Sequence, residues 1–131
     1  MLRKRIRVLK ELQEEPDLLA CPVCGEKLVS GQEGVTCEKG HHFDPARQGY
    51  IHLYSGRPGD FYDRNLFEAR RRMIRAGLYG VLLDRLGELI SGWREKDGRD
   101  PVILDAGCGE GSHLLELYRR NIPGRLVGMD I

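Results

Sequence analysis

Cys21, Cys24, Cys37 and His41 stand at the spacing C-x2-C-x12-C-x3-H. Three soft thiolates and one imidazole suit tetrahedral Zn2+, and four protein ligands leave no open position for a reacting water. The chemistry expected of them is therefore structural. His42 is adjacent, and the residues alone leave it open as the fourth ligand. A disulfide is the competing use of two cysteines. A C-x2-C knuckle with an offset third cysteine, in a chain that reads as cytoplasmic, favours metal.

The second constellation is Leu104-Asp105-Ala106-Gly107-Cys108-Gly109-Glu110-Gly111. Residues 101–105 form a short apolar, β-branched strand that ends in this glycine loop. Ser112 is placed to cap a following helix through Leu114, Leu115, Leu117 and Tyr118. The chain turns at 121–124, and a second strand, 125–130, delivers Asp130 about 20 residues past the loop, where an acid bonds a ribose hydroxyl in dinucleotide-type folds. The pattern is one βαβ unit for a nucleoside ligand, against the plainer reading of a glycine-rich turn in another α/β protein. Its spacing differs from the dehydrogenase fingerprint, and no phosphate-cradling Lys-Ser/Thr follows. It resembles motif I of the S-adenosylmethionine-dependent class I methyltransferases. Cys108 has no partner base nearby in sequence, so it reads as a small buried side chain rather than a nucleophile. His113 reads as a surface or packing residue.

These two sites need elements to hold them. The chain has 131 residues, 40% hydrophobic and 31% charged, with a net charge of +1, which suits one modest domain or two small ones. It has neither a signal-peptide h-region nor an apolar run near the roughly 20 residues of a membrane span. Residues 1–15 read as an amphipathic helix with Ile6, Leu9 and Leu12 on one side, ended by Pro16, and 1–17 as an extension apart from the rest. Residues 18–58 are too poor in apolar runs to fold without a staple. From Asp63 to Trp93 the pattern is helical: Leu66, Phe67, Met73 and Ile74 serve one helix, Ala76-Gly77 breaks it, and Leu78, Leu82, Leu86, Leu89 and Trp93 form a core-facing stripe on the next. Residues 94–100 read as a charged linker. Two basic clusters are candidates for phosphate contact or for plain solvated helix faces: Arg3, Lys4, Arg5, Arg7 and Lys10, and the five arginines of 64–75.

The order of these parts resembles one family. A Cys3His module, then Phe43-Asp44, Gly49-Tyr50, Arg70-Arg71 and the loop from Asp105 to Gly111 are similar to the RlmA-type methyltransferases of 23S ribosomal RNA, with coverage from about Ala20 to Ile131. The resemblance implies an α/β protein: a small N-terminal zinc-ribbon module (18–58) that helps recognise RNA, followed by the first βαβ of a Rossmann-like class I methyltransferase domain (59–131), incomplete. It favours His41 over His42 as zinc ligand. It implies methyl transfer from S-adenosylmethionine to guanine N1 in a 23S rRNA hairpin, with Gly107, Gly109 and Gly111 admitting the cofactor, Asp105 orienting the loop and Asp130 holding the ribose. No catalytic residue for the N1 proton is identified, no membrane partner is implied, and a homodimer is left open. A class I sheet has about seven strands and this sequence reaches the second, so the 131 residues are expected to be a truncated product, inactive alone. The alternatives are a zinc-ribbon RNA-binding fragment without catalysis, and a methyltransferase for a small molecule or a protein.

Overall fold

Val8, Leu9 and Leu12 recur at helical spacing, and helix α1 spans Leu2–Glu14. Pro16 follows two residues on, where its missing N–H and fixed φ prevent another turn. The computed structural model describes residues 2–56 and 64–131. The proposed boundary at 58/59 and the helical start at Asp63 lie outside the described residues. The chain divides into two compact units, Met1–Arg57 and Pro58–Ile131.

In the first unit three two-residue strands, β1 (Val29–Ser30), β2 (Val35–Thr36) and β3 (His42–Phe43), pair antiparallel in the order β1-β2-β3. The register sets Val29 opposite Thr36 and Thr36 opposite His42. Isolated bridges, Ala20 to Lys27 and Pro45 to Ile51, flank this sheet. Strands this short offer few ladder bonds and almost no apolar face.

The core that holds them is Leu9, Cys21, Leu28, Val35 and Cys37, with Leu12, Leu19, Phe43, Ile51 and Leu53 packed around it. Helix α1 is thus part of this unit, whereas its sequence set it apart. Leu9 is 5% exposed, and the Ser30 hydroxyl donates to its carbonyl at 2.8 Å. Burying one leucine contributes about 1.5–3 kcal/mol, a large share for so small a core. The buried side of α1 is Leu9 with Val8 and Leu12, and Ile6, expected on that side, is 42% exposed.

The second unit runs α2 (Arg64–Arg75), α3 (Gly80–Asp97), β4 (Val102–Ala106), α4 (Ser112–Arg119) and β5 (Arg125–Met129). The break at Ala76-Gly77 ends α2, where the N–H groups of Gly77 and Leu78 donate to Ile74 and Met73. β4 and β5 pair parallel, with Ala106 opposite Met129. Arg120 at the end of α4 pairs with Asp84 of α3 at 2.8 Å and with Glu116 at 3.2 Å.

The apolar stripe of α3 does not form its inner face: Leu83 and Gly87 are buried, while Leu78, Leu82, Leu86, Leu89 and Trp93 are exposed. Gly87 lies so close to Ile122 that a Cβ on it would stand 2.5 Å from the isoleucine's Cδ1, and this close approach selects the face one residue over. The linker at 94–100 is helical as far as Asp97 and closes on Gly98 in the left-handed region. Ser112 does not cap α4. Gly111 occupies the cap position, and the Ser112 hydroxyl, inside the helix, donates to the Glu110 carboxylate.

Candidate metal centre and candidate cofactor loop

Each half of the metal cluster is a hydrogen-bonded knuckle. The N–H of Gly25 donates to the Cys21 carbonyl at 2.8 Å and that of Cys21 to Glu26 at 2.7 Å. In the other half Gly40 donates to Cys37 at 2.9 Å and Cys37 to His41 at 3.1 Å. β1 and β2 join the halves. The Sγ atoms of Cys21, Cys24 and Cys37 and a ring nitrogen of His41 all lie within 4.8 Å of one another.

The spacings test whether zinc fits. Tetrahedral zinc with bonds of about 2.3 Å to sulfur and 2.0 Å to nitrogen sets S···S near about 3.8 Å and S···N near about 3.5 Å. Cys24 Sγ lies 3.7 Å from Cys37 Sγ, and His41 Nδ1 lies 3.6 Å from Cys21 Sγ and 3.3 Å from Cys37 Sγ. The donor set fits the ion. His42 is engaged elsewhere: its Nδ1 stands 2.8 Å from Thr36 Oγ1 and its Nε2 3.5 Å from Asp44.

The three thiols compete for charge. Burial opposes ionisation of Cys21, yet hydrogen bonds from the backbone at Val23 and Cys24 hold its thiol below the ordinary value. Cys37 is lowered too, against burial, by the backbone and ring of His41. For Cys24 the backbone at Glu26 pulls down, but burial and the neighbouring thiols raise it overall. Crowded thiolates repel, and a dication removes that repulsion.

In the second unit the parallel register carries the loop after β4 over the end of β5. The N–H groups of Gly107 and Cys108 both donate to the Met129 carbonyl, at 2.7 and 3.1 Å. The N–H of Gly109 donates to Asp130 Oδ2 at 2.5 Å, and that of Ile131 to Oδ1 at 2.8 Å. Gly107, Gly109 and Gly111 have φ of +83°, +57° and +77°, a region that side chains disfavour. A Cβ added to Gly107 or Gly111 would meet open space, so the loop leaves room for a ligand to approach the backbone.

The structure brings Gly109 and Asp130 together and leaves Asp105 in register with Gly128, one step back in the sheet. Met129 and Asp130 hydrogen-bond to the loop directly. The Cys108 thiol is raised by burial and then by the charges of Asp105 and Asp130, which keeps it a poor nucleophile. Its sulfur fills space beside Gly128, where a Cβ would come within 2.8 Å. The ring of His113 meets Tyr79 edge-on with centroids 5.1 Å apart. Two residues not assigned to this site also border the loop: a Cβ on Gly109 would stand 3.4 Å from Phe67 Cε1 and 3.6 Å from Arg70 Nη1. Their i, i+3 spacing on one face of α2 was the available signal.

Residues 19–55 match the family model described as RlmA, N-terminal. The chain is 41% identical over 121 residues to YxjB of Bacillus subtilis (strain 168), provisionally named a 23S rRNA (guanine-N1)-methyltransferase, a match covering 87% of this chain and 42% of that protein. It is 36% identical over 118 residues to the 23S rRNA (guanine(748)-N(1))-methyltransferase of Streptomyces fradiae, covering 85% and 40%. The chain spans about two fifths of the length of these curated relatives. Neither is named for a small-molecule or protein substrate. Among the described residues, no helix is long and apolar enough to cross a membrane.

Proposed function

We propose that this chain, a member of the RlmA-type family, forms the N-terminal part of an S-adenosylmethionine-dependent methyltransferase acting on guanine N1 of 23S rRNA in the cytoplasm. The observation that carries the catalytic half of this reading is the Asp130 carboxylate at the tip of β5, bonded to the Gly109 N–H at 2.5 Å. That bond fixes the acid beside the glycine loop. A carboxylate accepts about four hydrogen bonds, so two here leave capacity for ribose hydroxyls. Gly107, Gly109 and Gly111 let the ligand approach the backbone, and β4, the loop and β5 begin a Rossmann-like sheet whose cofactor lies beyond the carboxyl ends of its strands.

When bound, S-adenosylmethionine supplies an electrophilic methyl group. The part of these residues is to orient it and hold it away from water, since most of the gain in such transfers comes from positioning. Cys21, Cys24, Cys37 and His41 hold Zn2+, whose four protein ligands leave it no catalytic position. The ribbon so stapled helps recognise an rRNA hairpin, whose loop bases are accessible where an A-form major groove is not.

The test is methyl transfer by the full-length protein from isotopically labelled S-adenosylmethionine to 23S rRNA, followed by digestion and mass spectrometry of the nucleosides. N1-methylguanosine is the expected product. Label on another atom, or none on rRNA while another acceptor is methylated, overturns the assignment.

A further inference from the structure

Arg70 was grouped by its sequence with Arg64, Arg71, Arg72 and Arg75 as a candidate phosphate contact, but its surroundings set it apart. Arg71, Arg72 and Arg75 are exposed, whereas Arg70 is half-buried. Its guanidinium lies against the glycine loop: a Cβ on Gly109 would stand 3.6 Å from Nη1 and about 4 Å from Cζ of Arg70. Phe67, one turn earlier on α2, borders the same glycine. Among the described residues Arg70 forms no ion pair. A guanidinium withdrawn from water without a counter-ion is costly, and its planar donors match a carboxylate in two-point geometry.

Asp130 is tied to the N–H of the same Gly109. One glycine therefore lies between an acid and a cation that has no ion pair among the described residues. A zwitterionic nucleoside needs that separation, because an acid attracts ribose hydroxyls and repels a carboxylate while a guanidinium does the opposite.

We propose that Arg70 binds the methionine carboxylate of S-adenosylmethionine and so sets which way the ligand lies along the glycine loop. The inference rests on the cofactor reading of this loop and adds a specificity residue to it. Arg70 is then a ligand contact and takes no part in RNA binding.

The experiment is calorimetric titration of the full-length protein with S-adenosylhomocysteine and with S-adenosyl-3-thiopropylamine, the same molecule without its carboxylate. The Arg70→Met variant keeps an apolar stem beside Phe67 and Gly109 and loses the charge. It should bind S-adenosylhomocysteine roughly 10- to 100-fold more weakly than the parent, as expected when a charge-assisted pair is removed. Its affinity for the amine should be unchanged. Arg70→Lys should recover part of the loss. Equal losses for the two ligands would mean that Arg70 only supports the loop and would overturn the proposal, as would no loss for either. If the parent binds neither ligand, the cofactor reading of the loop falls first and this inference with it.

Discussion

The Asp130 carboxylate accepts the Gly109 N–H at 2.5 Å, so the last polar side chain of the β5 strand end is bonded to the middle of the loop that leaves β4. The two residues are 21 apart in sequence, and parallel pairing of Ala106 with Met129 brings them together. The bond couples loop shape to the acid that we assign to the ribose. Asp130→Ala in the full-length protein should weaken cofactor binding about 10- to 100-fold, the range for removing a charge-assisted bidentate interaction. Asp130→Asn keeps one acceptor for the Gly109 N–H and should lose less. Calorimetry decides, and a dissociation constant unchanged in both variants would remove Asp130 from the cofactor site.

Metal removal should unfold more than the knuckles. Cys21 and Cys37 are zinc-ligand candidates and also belong to the same buried core cluster as Leu9 of α1. Metal binding in such a module is folding free energy, so chelation should release α1 and lower the helical circular dichroism signal along with the zinc. The purified protein should carry one zinc per molecule by elemental analysis. His41→Ala should weaken zinc binding more than His42→Ala, because His42 is turned to Thr36. The reverse order transfers the ligand role to His42.

How much of this was legible depended on whether a pattern was local. The Cys-x2-Cys knuckle, the later cysteine and the histidine beyond its three-residue spacer are separated by fixed turns, and the structure gathers those four residues. The two strands around the glycine loop were legible for the same reason. The inner face of α3 was not. Five large apolar residues at helical spacing mark a stripe, but which face turns inward is set by how closely α4 and its following turn can approach, and Gly87 with Ile122 settled that. Helix α1 was legible as a helix and not as a core element, because its partners Leu28 and Val35 lie beyond a turn and a knuckle.

Leu9 therefore offers a contrast with Ile6 on the same helix. Leu9→Ala should destabilise the ribbon unit by about 2–4 kcal/mol, the usual cost of truncating a buried leucine. Ile6→Ala, at an exposed position, should stay within about 0.5 kcal/mol. Denaturant titration followed by zinc release measures both, and equal effects would mean that α1 does not dock through Leu9.

Two glycines of the second unit should respond differently to alanine. At Gly87 the added methyl meets only the end of the Ile122 side chain, so the cost should be about 1–3 kcal/mol and Ile122→Val should recover part of it. At Gly124 the methyl meets the backbone carbonyl of Pro101, and φ is +112°. Neither the backbone nor the dihedral can yield easily, and Arg125 donates to that same carbonyl at 2.8 Å to start β5. Gly124→Ala should be the more damaging, with no rescue from Ile122→Val. Thermal melts of the two singles and the two doubles check the order.

The remaining arginines of α2 separate a binding face from a solvated one. Arg71, Arg72 and Arg75 are exposed and, among the described residues, form no ion pairs. Arg72 and Arg75 also lie in the last turn, where cations complement the helix dipole without any partner. If Arg71 and Arg75 touch phosphates of an rRNA hairpin, replacing both by alanine should weaken binding and flatten the dependence of log affinity on log salt by about 0.7 to 0.9 for each phosphate no longer neutralised. Affinity for S-adenosylhomocysteine should not change, in contrast to Arg70→Met. Titrating the hairpin at several ionic strengths gives the slopes. Superimposable lines for parent and variant would leave these arginines with the helix dipole alone and would confine RNA recognition to other residues.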